Sequence, residues 1–253
     1  MKGVKILATA LFILLLCGKL PDELSYASFA RQGLSFYYRV QKLGVTILKA
    51  SLSIQREEHF YLVQAAVDTT GVTLPFFRMH NRFHSYVKKE GLEPWRYVKE
   101  VNQWGIFSQR KYYTDILTFD LSSSKVIVER MDPPQVREVT VPSQTYDPLA
   151  IFLKYFLATD ADEQDQIEMR IYDGTKVREV TFIATLGEIA TPFYGEVRTV
   201  CVESTVPFSS LGNKEGVIKI WYTNDENRFP VDICLELPTV GSVEFQLERV
   251  EVW

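Results

Sequence analysis

The sequence predicts a mainly β protein: a large curved antiparallel sheet or an open barrel, as one body or as two β lobes, around a single buried apolar helix near residues 147–159. Three observations predict it. Apolar and polar residues alternate with period two along most of the chain, the pattern of half-buried strands. One stretch, opening at Asp147, breaks that rhythm with a nearly continuous apolar run. The chain also carries Phe 16, Tyr 13 and Trp 4 in 253 residues, an aromatic load that needs either an extensive β core or an apolar groove.

The first segment is of another kind. Lys2 and Lys5 precede an apolar run from Ile6 to Cys17, the charge order and length of a signal peptide. A spanning helix needs about 20 apolar residues, and Lys19, Asp22 and Glu23 end this run too early. Ser25–Ala27 and Ser28–Ala30 supply small residues for cleavage after Ala27 or Ala30. Two rivals are an uncleaved anchor and lipidation at Cys17, where Leu16 fits poorly as the preceding residue. Residues 1–30 are therefore read as a signal peptide and 31–253 as one β-rich domain of the periplasm or cell envelope. That domain has no integral membrane span after cleavage; an outer-membrane lipoprotein is the alternative address.

Strands follow in order. Phe36, Tyr38 and Val40 share a face, as do Tyr61, Val63, Ala65 and Val67, and then Trp95, Tyr97, Lys99 and Val101. Asp147 is placed to cap free amides and Pro148 to start a helix whose one charge before Thr159 is Lys154, so it should be buried on most faces. The acidic run Asp160–Asp165 returns the chain to solvent and divides a β-rich portion 33–141 from another, 166–252. In the second portion Ile167, Met169 and Ile171 alternate, and Asp173-Gly174 reads as a two-residue hairpin turn with positive φ at both positions. Runs at 217–221, 231–237 and 243–247 keep the rhythm, and a phase slip at Glu248-Arg249 predicts a bulge. Phe83–Val98 and Ile218–Ile233 echo each other as aromatic strand, polar turn and proline-started strand. Cys201 and Cys234 fall on strands separated by a third, roughly 9 to 10 Å apart, beyond disulfide reach.

Several of these landmarks, in order, resemble the bacterial domain-of-unknown-function family number 3108. They are Asn81–Val87 with Arg82 and Ser85, Thr118–Asp120 with Phe119, and Asp147-Pro148-Leu149. Trp221–Asp225, Arg228–Val231 with Pro230, and Gly241–Val243 complete the set. The resemblance implies an exported, β-rich envelope protein and supplies no catalytic residue or substrate. Lys88 departs from it, since the pattern often carries an acid in that turn. The hairpin Trp221–Val231 also looks like those of periplasmic lipoprotein carriers of the Lol type, which curve an antiparallel sheet around an apolar concavity; that is a likeness of fold.

Other chemistry finds little support. A formal charge of −4 and a pI near 5.6 argue against a nucleic-acid surface. His80 and His84, the one pair at metal-like spacing, lie on a strand, where four residues span about 13 Å. No Gly-x-Ser-x-Gly, phosphate loop or dinucleotide fingerprint occurs. Asp120, Asp147 and Asp225 each have a local turn or cap role. A membrane barrel fails because Arg249 and Glu251 are in phase with the terminal Trp253. No catalytic, cofactor-binding or metal-binding residue is assigned. The expected function is non-enzymatic: binding or shuttling an apolar ligand such as an acyl chain. The alternatives are an envelope interaction module using a sheet edge and, third, an enzyme on an envelope polymer.

Overall fold

The computed structural model describes residues 33–106, 108–157, 166–208, 214–238 and 241–253. The N-terminal segment read as a signal peptide, with Cys17, Ala27 and Ala30, the expected helix end at Thr159 and the acidic run 160–165 lie outside the described residues. Alternation becomes fifteen strands. The first eight are β1 (Gly33–Lys42), β2 (Val45–Arg56), β3 (Phe60–Thr69), β4 (Phe77–Lys88), β5 (Pro94–Gly105), β6 (Ser108–Asp120), β7 (Lys125–Met131) and β8 (Pro134–Thr140). After β9 (Thr145–Tyr146) comes the helix α1 (Pro148–Leu157). The rest are β10 (Gln166–Tyr172), β11 (Val177–Thr191), β12 (Gly195–Phe208), β13 (Lys214–Thr223), β14 (Pro230–Leu237) and β15 (Gly241–Val252).

All fifteen form one sheet, in the order β8 to β1 and then β15 to β9. Every neighbouring pair is antiparallel except β9 with β10. The junction is β1, which pairs β2 on one side and β15 on the other, so the two portions are halves of one sheet and not separate lobes. The slip at Glu248 is the expected bulge: Tyr37 faces Arg249 while Tyr38 faces Leu247. Pro94 and Pro230 start their strands beside register shifts, where a missing N–H does least harm.

One expected turn differs. The loop between β10 and β11 spans 173–176, and only Gly174 has positive φ, at 89°. Asp173 is turned inward and fully buried to take Arg178 as an ion-pair partner at 3.2 Å, which a two-residue primed turn would prevent. This loop crosses the concavity to the opposite half-sheet. Asp173 O accepts from Lys99 Nζ (3.5 Å), Gly174 O accepts from Arg137, and Leu117 lies against Gly174. It thereby bridges the seam between the two free edges, β8 and β9.

The core sits on the concave face. Asp147 caps α1, its Oδ1 accepting from the amides of Leu149 (2.8 Å) and Ala150 (3.0 Å). Every helical residue except Lys154 is buried, as an all-round apolar helix requires. Its rings answer what the aromatics do: Phe156 meets Phe36 edge-on at 5.9 Å, and Tyr155 lies 4.7 Å from Tyr222. No helix among the described residues is long and apolar enough to cross a membrane.

Candidate functional site

The helix does not fill the concavity completely. At its first turn, Pro148, Leu149 and Phe152 stand off from the inner face of β2–β5, leaving an apolar cavity of about 50 Å³. Two small residues make this room. Ala50 faces Val67 and Leu52 faces Ala65 across β2 and β3, so alanines alternate with larger side chains where neighbouring positions are filled. Phe83, Tyr97, Ile233 and Phe245 complete the wall. Tyr38, also in the wall, has its hydroxyl satisfied by donating to Pro230 O at 2.9 Å, and burial holds its ionisation well above the usual range.

Polar groups stand at the margins. Ser85 donates to Asp147 Oδ2 at 2.7 Å, tying β4 to the helix cap. Burial pushes the Asp147 carboxyl up to about 6, against the three donors that favour its ionised form. Asn81, fully buried opposite Val67, accepts from the Asn102 amide at 3.1 Å; its Nδ2 has no partner among the described residues.

Beyond this apolar part the inner face becomes charged. Lys99 on β5, Asp115 on β6, and Asp173 and Arg178 from the opposite half are all buried. Arg130 grips Asp115 with two bonds of 2.6 and 2.7 Å and covers the Tyr113 ring at 4.3 Å. Burial acts to raise the Asp173 pKa, but Lys99 and Arg178 outweigh it and hold the carboxyl below its ordinary value; burial pushes Lys99 down. In the sequence Lys99 is in phase with Tyr97 and Val101, on the face that becomes buried. A charge at an inward position is the legible signal; its carboxylate neighbours, Asp115 on the next strand and Asp173, 74 residues away, are not.

The residues singled out in the sequence are dispersed. Ser85, Asp147 and Pro148 meet at the helix start; Arg228 reaches α1, lying 4.8 Å over the Tyr155 ring, and Pro230 O accepts from Tyr38. Asp225 accepts from Thr223, Asn227 and Arg228 within its own turn. Asp120, exposed, is held by Ser122 and Ser123, whose hydrogen bonds lower its carboxyl to about 2. Phe119 is core, and Trp221 packs against the core partly buried. Arg82 binds Asp68 on the convex face, with His80 also on Asp68 at 2.6 Å, while His84 pairs with Gln64. Among the described residues no three His, Cys, Asp or Glu converge as metal ligands. Cys201 and Cys234 are free thiols on β12 and β14, with β13 between them as the alternation predicted.

Comparison with known proteins adds family and fold. The profile of a family described as a protein of unknown function, DUF3108, matches residues 35–248. No curated protein matches the chain. A solved beta-barrel-like protein of domain of unknown function DUF1849 from Brucella abortus superposes with a TM-score of 0.58 at 12% identity. The match covers 88% of this chain and 99% of that one. At such identity the likeness is one of fold.

Proposed function

The chain belongs to the DUF3108 family of proteins of unknown function, and from that premise we propose that it is an exported envelope protein that receives the end of an apolar ligand, such as a lipid acyl chain, between α1 and the concave sheet. The cavity at Ala50 and Ala65 carries this reading. In a core built mostly of large side chains, it is an apolar space bordered by the start of α1. Its 50 Å³ is about a third of the ~150 Å³ that holds benzene, so it admits a chain end and not a whole acyl chain. A longer ligand enters as Leu149 and Phe152 shift, and the Asn81 amide offers a donor to an ester or carboxyl oxygen. The basic, then apolar N-terminal segment supports export to the periplasm or envelope.

The test is native mass spectrometry of protein purified from the envelope, beside the double variant Ala50→Leu/Ala65→Leu, which fills the cavity. We expect a lipid-sized adduct on the natural chain and its loss in the folded variant. No adduct on either, or the same adduct on both, overturns the reading.

One observation favours a second reading, a protein-interaction module. The edge strand β8 is exposed at every residue except Val139, and an open edge can accept another strand. Crosslinking at β8 that captures one specific envelope protein, with lipid absent, would select it.

A further inference from the structure

We propose that one end of the sheet is a membrane-docking rim, in which the β1–β2, β3–β4 and β5–β6 tips enter the interface of a bilayer carrying anionic headgroups while Arg78 and Arg110 meet the phosphates. The inference does not rest on the ligand reading, because none of these side chains lines the cavity. Antiparallel order brings residues 43–44, 70–76 and 106 to the same end. The tips also touch: the hydroxyl of Thr73 donates to Ile47 O at 2.8 Å, and the Ile106 amide donates to Phe76 O at 3.0 Å. Each presents apolar side chains outward, Leu43 at 92% exposure, Phe76 at 60% and Ile106 at 51%, joined by Leu74 and Val45.

Leu43 is the most telling of them. With Gly44 it makes a tight turn in which both residues have positive φ, 50° and 75°. Asn, Asp or Gly adopts that conformation readily, whereas a leucine costs on the order of 1–2 kcal/mol there. Neither folding nor solubility gains from a strained leucine that is almost wholly in water. The opposite tips of the same strands behave otherwise. They carry Glu57, Glu58 and His59, then Lys89 and Glu90, then Ser122 to Ser124, and their leucines, Leu92 and Leu121, turn into the core.

What lies behind the apolar tips identifies the partner. A convex-face groove of about 650 Å³ is lined by Leu74, Arg78, Trp104 and Arg110. Arg110 sits 5.8 Å over the Tyr112 ring, and the groove's carboxylate, Asp68, is already engaged by Arg82 and His80. Aliphatic and phenyl groups lie outermost, and behind them Trp104, directly opposite Arg78 in the register, shares one level with the arginines, as at a bilayer interface, where aromatic belts and cationic side chains occupy the headgroup region together.

The experiment is co-flotation of envelope-purified protein with vesicles of phosphatidylcholine alone or mixed equally with phosphatidylglycerol, combined with quenching of Trp104 by brominated lipid, read against Trp104→Phe. We expect flotation with anionic vesicles that weakens with salt, and quenching at Trp104. Leu43→Asn/Phe76→Ser should weaken binding by about tenfold or more, and the asparagine suits the turn, so loss of fold does not confuse the result. Arg78→Gln/Arg110→Gln should remove the preference for anionic vesicles. Absence of Trp104 quenching, or equal binding by the tip variant, overturns the proposal. So does a dimer that the tip variant dissolves without any vesicle binding, which would assign the rim to a second copy. Lipid adducts on the tip variant report separately on the cavity.

Discussion

The concave face is built in two ways. Where β1–β4 and β13–β15 surround α1, inward positions are mostly apolar, Asn81 and Ser85 on β4 being polar exceptions, and the helix covers the sheet beside the small cavity at its start. Where β5–β8 meet the 173–176 loop, inward positions carry Lys99, Asp115, Arg130 and Arg137, and closure depends on ions and carbonyls. The apolar part tolerates a void because dispersion falls off gradually and the wall of the cavity itself is almost wholly apolar. The charged part tolerates none, since a buried ion that loses its partner keeps its full desolvation cost. Adaptable volume therefore belongs to the helix side, and the seam between β8 and β9 is fixed by geometry.

The largest effects should come from breaking each part in its own way. Asp173→Ala removes the buried carboxylate that pairs with Arg178 and offsets the Lys99 charge, and should cost on the order of 3–5 kcal/mol in denaturant unfolding. Phe152→Ala should cost a similar ~3–5 kcal/mol, but with the opposite functional sign: it enlarges the cavity and should raise uptake of an apolar probe. If Asp173→Ala instead raised probe uptake with the helix side intact, the division between the two parts would be wrong.

Acidity separates the parts next. Asp147, on the helix side, has its folded pKa raised to about 6 by burial, above the unfolded 3.8, so the folded state holds the extra proton between these values. Stability from this group therefore falls as pH rises through that window, by on the order of 3 kcal/mol at about 1.4 kcal/mol per pKa unit. Asp232, raised to about 7 by burial and then by Glu244, acts in the same direction. Asp173, held below its ordinary value in the charged part, contributes stability above the unfolded 3.8 that is lost as pH falls through its lower folded value. Chemical denaturation across pH should thus give a maximum near pH 4, close to the unfolded carboxylate value. Asp147→Asn keeps a capping side chain and should flatten the alkaline limb; a maximum at or above pH 7 would refute these assignments.

How much of this was legible follows from the same contrast. Period-two alternation, the all-round apolar run at Asp147 and the slip at Glu248 are local signals, and strands, helix and bulge appear where those signals stand. Closure of two halves through β1 and β15 is a pairing of residues more than 200 apart, for which alternation carries no address. The Asp173-Gly174 loop departs from the expected two-residue turn because its chemistry is tertiary: Arg178 and Lys99 draw the aspartate inward, and the loop lengthens to allow it. Ala50 and Ala65 could not be recognised as cavity walls, because in sequence an alanine on an inner face looks the same whether or not its neighbours fill the space.

The smallest expected effect on stability has the largest bearing on function. Ala50→Leu/Ala65→Leu overfills the 50 Å³ cavity and should cost about 1–3 kcal/mol of unfolding free energy. The most direct test of the central claim is a binding isotherm of a fluorescent fatty acid against the natural chain, this double variant and Phe152→Ala. The account predicts saturable binding to the natural chain, at least about tenfold weaker binding to the filled variant and tighter binding to Phe152→Ala. Equal affinity in all three would place the ligand elsewhere and contradict it.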